Sequence, residues 1–187
     1  MRKDFGKKTW LYPMPVLIIG SYDENHKANA MNAAWGGTYD YNQIFISLSS
    51  HRTTSNIRKA GAFTVSIGTK RTVEICDYVG LVSQNNEENK LVKAGLHELE
   101  SKNVNAPLFI EFPFTLECKV VQMDGEEGEG AYLVGEIVNV SIDESVLTDG
   151  KVDLDKLEPI AFDPVNNKYV LLKENVADAF RVGAKLK

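Results

Sequence analysis

Alternation of apolar and polar side chains with period two constrains this chain more than any other feature. In Ile44-Phe-Ile-Ser-Leu-Ser49, residues Ile44, Ile46 and Leu48 fall on one face, and Phe45, Ser47 and Ser49 fall on the other. The pattern recurs in Phe63-Thr-Val-Ser-Ile67, and again where Phe114, Leu116, Cys118 and Val120 alternate with Thr115, Glu117, Lys119 and Val121. A longer run, Tyr132 to Ile142, places Tyr132, Val134, Val138, Val140 and Ile142 together. Successive side chains of a strand point to opposite faces, so such runs read as strands with one face on a core. Val16–Tyr22 and Ala28–Ala34 read as two further extended segments, joined by the polar turn Asp23-Glu-Asn-His-Lys27.

Helical signals are short. Ser55 to Ala60 makes one or two turns closed by Gly61. Thr72 is an expected N-cap for a helix running to Val79 and stopped by Gly80, and Asn86–Ala94 reads as a third helix ended by Gly95. Asp124-Gly-Glu-Glu-Gly-Glu-Gly130 lies between two long strands; its glycines and like charges suit a solvated hairpin loop, and it lacks the ligand spacing of a calcium loop. Many strands with short helices between them favour a mainly β, closed or partly closed antiparallel barrel over a doubly wound sheet. No repeat or linker divides the chain, which reads as one domain over 1–187.

Composition removes several classes. The net charge of −5 argues against a sequence-independent grip on nucleic acid, which depends on clustered Lys and Arg. No apolar run approaches the roughly 18 residues of a membrane span, and the basic N-terminus leads into no signal-peptide core, so the expected location is cytoplasmic. Cys76 and Cys118 form no CxxC pair and read as core residues. His26, His51 and His97 are isolated in sequence, which leaves no metal site to propose. Dinucleotide, phosphate-loop, metalloprotease and nucleophile-elbow motifs are all absent.

The dense region is Asn29 to Thr54. It carries Asn29 and Asn32, then Trp35-Gly-Gly37, then Ser47-Leu-Ser-Ser-His-Arg-Thr-Thr54 between an expected strand and an expected helix. Backbone N–H groups at a helix start, several hydroxyls and one Arg make a phosphate cradle; the same residues also suit a plain polar loop with an N-cap. Both readings stand on the residues alone.

Pro13-x-Pro15-Val16, Asn29-Ala-Met-Asn-Ala-Ala-Trp35, Ile44-Phe-Ile-Ser-Leu48, Arg52-Thr-Thr54 and Gly61-Ala-Phe-Thr-Val65 occur in an order and spacing that resemble the flavin reductase-like, FMN-binding split-barrel family, in particular its flavoredoxin type. Tyr78-Val-Gly-Leu-Val-Ser83 also resembles the family's helix-to-loop segment, although Gln84 and Asn89 depart from its pattern. The resemblance implies a split β-barrel holding noncovalent FMN at a homodimer interface. In this sequence the Asn29, Ala30, Met31, Asn32 strand would run beside the flavin ring. Ser50, Arg52, Thr53 and Thr54 would hold the phosphate, with Ser83 on the adjoining loop and Lys90 as a second cation. Trp35 would either close one side of the flavin or pack the barrel. The implied activity is electron transfer from NAD(P)H or a redox partner, through FMN, to a flavin, ferric or other small acceptor. The alternative is an FMN-binding carrier or sensor without NAD(P)H turnover. The resemblance names no catalytic side chain, as expected where the cofactor carries the chemistry.

Overall fold

The structure is a computed structural model that describes residues 1–186. Along the chain, β1 (Met14–Pro15) leads into β2 (Leu17–Tyr22), β3 (Ala28–Ala33), β4 (Gly36–Asp40) and β5 (Gln43–Leu48). Helix α1 (Arg52–Ala60), β6 (Ala62–Ile67), α2 (Val73–Leu81) and α3 (Lys90–Ala94) follow. Next come the short strands β7 (Glu98–Glu100) and β8 (Pro107–Phe109), then the long pair β9 (Phe114–Asp124) and β10 (Ala131–Ile142). The last elements are β11 (Leu147–Thr148), β12 (Lys151–Val152), α4 (Leu154–Leu157) and the hairpin β13 (Ile160–Asp163) and β14 (Lys168–Leu171).

The main sheet has seven strands in the order β3-β2-β6-β9-β10-β5-β4, all antiparallel. It curls without closing, so β3 and β4 keep free edges. Leu17, Ile19, Met31, Ile44, Ile46, Ile57, Phe63, Val65, Cys118 and Leu133 fill the concave side as one core. A second core forms on the outer side of β2 and β3, where Val16, Ile18 and Ala30 meet Cys76 and Val79 of α2 together with Leu96, Phe109, Phe112 and Ile160. Because β2 is covered on both faces, it reads as a continuous apolar run rather than an alternating one. No helix among the described residues is long and apolar enough to cross a membrane.

Several sequence expectations change. Helix α1 starts at Arg52 rather than Ser55, so Arg52, Thr53 and Thr54 form its first turn; Gly61 stops it at φ 65°, as expected. Helix α2 begins at Val73 and passes through Gly80 to Leu81, because a bare Cα at Gly80 lets the helix lie on β3; a Cβ there would sit 3.1 Å from the Asn32 Cβ. Only Lys90–Ala94 of the expected third helix is helical, and turns occupy the residues before it. On β10, Ala131, Leu133 and Val134 are buried, Ile142 is half-buried, and Tyr132, Val138 and Val140 are exposed. The apolar face read from the sequence is therefore split, Val134 turning inward beside an irregularity in the ladder and most of the rest outward. Thr115 and Glu117, on the polar side of β9, are also buried: Thr115 shares a hydrogen bond with Ser66 at 2.8 Å, and the 101–106 loop covers Glu117. Glu117 accepts from Ser101 Oγ, from Asn103 Nδ2 at 3.0 Å and from Asn139 Nδ2 at 2.6 Å.

Candidate functional site

β3 is an edge strand whose only ladder partner among the described residues is β2. Along its free edge, the Ala28 carbonyl accepts from Gln84 Nε2 at 2.9 Å and the Ala30 carbonyl from Lys90 Nζ at 2.7 Å. The start of α1 and the end of α2 converge on the same edge. Together they enclose a cavity of about 160 Å³ lined by Asn29, Met31, Asn32, His51, Arg52, Thr53, Val79, Gly80, Leu81, Val82, Ser83, Gln84 and Lys90.

Two cations and no carboxylate line this cavity. Lys90 is buried, with only 2% of its surface exposed, and desolvation alone lowers its pKa to about 8. Arg52 is held from behind: its Nη2 donates to Asp23 Oδ2 at 2.7 Å. Asp23 is fixed in turn by the Asn25 and Lys27 N–H groups, each donating to Oδ1 at 2.9 Å. Burial pushes the Asp23 carboxyl up, but these backbone bonds and Arg52 outweigh it and leave the group below its ordinary value. No side chain caps α1 and no acidic residue stands in its first turn, so its unsatisfied N–H groups and positive end remain available to an anion.

Hydrogen-bond accounting is more specific. Three buried side-chain atoms among the described residues lack a partner: Asn29 Oδ1, Arg52 Nε and Gln84 Oε1. All three residues line this one cavity. An unsatisfied buried polar atom costs about 1–3 kcal/mol, so three orphans beside two cations mark a place for a ligand. That ligand must offer an acceptor to Arg52 and hydrogen-bond donors to Asn29 and Gln84. A polyol phosphate does both.

Other expected residues take different positions. Thr54 lies beneath the cavity and donates from Oγ1 to the Ser49 carbonyl at 2.7 Å; Thr53 accepts from Asn29 Nδ2 at 2.9 Å. Ser50 turns away, donating to the Gly128 carbonyl of the acidic hairpin loop at 2.7 Å. Trp35 does not pack the barrel. It is 57% exposed and lines a separate slot of about 620 Å³ with Trp10, Leu11, Phe45 and Tyr132. Asp23 and Gln84 are the residues the sequence reading missed. Asp23 had a local signal, an acidic side chain heading a tight turn, whereas Gln84 stood out only as a departure from the family's pattern. Cys76 and Cys118 are buried, with thiol pKa values pushed by burial to about 11 and about 12.

The open antiparallel barrel is shared with flavoredoxin and with FMN-binding flavin reductase-like split-barrel proteins. Residues 9–158 match the family described as flavin reductase like domain. The chain belongs to that family. Flavoredoxin of Desulfovibrio vulgaris (Miyazaki F) superposes with a TM-score of 0.91 at 36% identity, over 98% of this chain and 100% of that one. A protein of Archaeoglobus fulgidus is 32% identical over 148 residues, 78% of this chain and 81% of its own length. The FMN-binding domain of a flavin reductases-like enzyme from Shewanella baltica shares the fold, with a TM-score of 0.75 at 18% identity over 88% of each chain.

Proposed function

We propose that the protein is an FMN-dependent oxidoreductase of the flavin reductase or flavoredoxin kind. In this reading it takes electrons from NAD(P)H or a redox partner and passes them to a flavin, ferric or other small acceptor. The observation that carries the reading is the coincidence of three orphaned buried polar atoms with Arg52 and Lys90 in one cavity on the edge of β3.

The residues present suit FMN. Arg52, the first turn of α1 and Lys90 bind the phosphate, and Asn29 and Gln84 accept from the hydroxyl chain. A second cavity of about 260 Å³ shares Asn32, Gly80 and Leu81 with the first, and its residues would hold the ring. A bound flavin supplies hydride and single-electron chemistry, while the protein contributes orientation and electrostatics. Asp23 keeps the Arg52 guanidinium facing the cradle, and the free edge of β3 offers main-chain groups to the polar rim of the ring. These roles require neither a catalytic triad nor a metal.

A homodimer is part of the proposal. The outer face of β4, β5 and β10 exposes Trp35 and Tyr132, with the Phe45 and Tyr132 rings stacked at 6.2 Å. Exposed contiguous apolar surface of this kind marks an association site, and it lies next to the ring end of the cavities through Ala34.

An absorbance spectrum of the isolated protein, followed by anaerobic titration with NADH and NADPH, tests the reading. Bound FMN bleached by one of the nucleotides is the expected result. Reduction by dithionite alone would favour the carrier function, and folded protein that stays colourless with excess FMN would defeat the proposal.

A further inference from the structure

The cavity of about 260 Å³ beyond Asn32 has a wall that neither the sequence motifs nor the matched residues 9–158 supply. Its lining is Val16, Asn32, Ala34, Asp77, Gly80 and Leu81, closed by Phe162 and Tyr169 of the β13–β14 hairpin. Tyr169 is fixed in place: its hydroxyl donates to Asp77 Oδ1 at 2.9 Å, tying the hairpin to α2. With its proton committed, the phenol oxygen has only lone pairs to offer. Asn32 spends one Nδ2 hydrogen on the Cys76 carbonyl at 2.9 Å; its other Nδ2 hydrogen is turned toward Tyr169, and Oδ1 remains as an acceptor. No Lys, Arg or His lines the cavity. The pocket thus combines an apolar floor with acceptors and one carboxylate at its rim, the opposite polarity to the cationic cradle beside it.

We infer that Tyr169, oriented by Asp77, is a contact to the flavin ring, and that the C-terminal hairpin is the outer wall of the ring end of the site. This rests on the FMN reading above. A ring N–H would find the Tyr169 oxygen or Asn32 Oδ1 as an acceptor there, and the Asp77 charge would oppose the gain of negative charge on reduction. Tyr169 is a binding contact, and Asp77 is a positioning residue that also sets the local field. Burial, followed by the Asp77 hydrogen bond, raises the Tyr169 pKa to about 12, so the phenol stays neutral across the working range.

The test compares FMN, lumiflavin (the ring without the phosphate arm) and inorganic phosphate as probes, using wild type, Tyr169→Phe and Asp77→Asn. Tyr169→Phe should weaken FMN and lumiflavin about equally, by at least threefold, and leave competition by inorganic phosphate unchanged. Asp77→Asn keeps an acceptor for Tyr169 but removes the charge. It should raise the midpoint potential of bound FMN, seen as at least a threefold rise in the reduced-to-oxidised ratio at a fixed ambient potential. If Tyr169→Phe lowers the melting temperature with and without flavin but leaves lumiflavin affinity untouched, the hairpin is only a structural brace and the inference falls. An unchanged potential in Asp77→Asn also overturns it. Wild-type protein that binds neither FMN nor lumiflavin overturns the FMN reading itself, a different result from either variant failing alone.

Discussion

Arg52 has one nitrogen bonded to Asp23 and another, Nε, buried without a partner. Such a guanidinium is oriented from behind and unsatisfied in front. Arg52→Ala should therefore weaken FMN binding more than it weakens the fold. Charged hydrogen bonds of about 1.5–3 kcal/mol correspond to roughly 10- to 150-fold in the dissociation constant. Flavin retained at wild-type levels after dialysis would contradict the assignment. Lys90 gives a pH signature. Burial lowers its folded pKa from 10.5 to about 8, so between those values the unfolded chain holds a proton that the folded chain has lost. Fold stability should rise with pH across that window, while affinity for the anionic flavin falls above pH 8 as the ammonium neutralises. Lys90→Met should flatten both trends, as read by denaturant titration and by flavin fluorescence from pH 6.5 to 10. Hydroxyls and a guanidinium at a strand-to-helix junction are a local pattern that suits a polar loop as well as a phosphate cradle, so Arg52 and Thr53 stood out in the sequence only through the family resemblance. The role of Gln84 was not legible, because it exists only where the loop after α2 returns to β3.

The 101–106 loop is stapled to β9 and β10 through the buried Glu117. Burial raises the Glu117 carboxyl, but hydrogen bonds from Ser101, Asn139 and Asn103 outweigh it, and the folded value lies below the ordinary 4.5. Its contribution is therefore complete above pH 4.5 and is lost as the pH falls through the lower folded value. Hydrogen exchange in the 101–106 loop should accelerate in acid, and Glu117→Gln should remove that dependence while slackening the loop at neutral pH. The other elements show why strands were easier to read than helices. Ile44, Ile46 and Leu48 alternate with residues that face outward, so their periodicity revealed both strand and face. On β10 the outer residues Tyr132, Val138 and Val140 are as apolar as the inner ones, so periodicity revealed the strand but not the side. Gly80 has the chemistry of a helix stop, and only the approach of Asn32 explains why α2 continues through it. The C-terminal hairpin carried no signal in the sequence, since its partners β1 and α2 lie far away along the chain.

At the scale of the molecule, the aromatic outer face adjoins the cavity beyond Asn32, the proposed ring end of the site, through Ala34. Sedimentation should give a particle of twice the chain mass, and Tyr132→Glu should yield a folded monomer that loses flavin readily. A flavin-loaded wild-type monomer would separate cofactor binding from assembly and remove the dimer from the proposal. The split in the barrel has a different consequence. Leaving β3 unpaired on one side opens a berth for a cofactor, but an unpaired strand is also a template to which another chain can zip. Among the described residues, Gln84 and Lys90 occupy two of its carbonyls. Whatever fills the rest of that border shields it, so cofactor starvation should show first as turbidity, before any loss of the folded barrel.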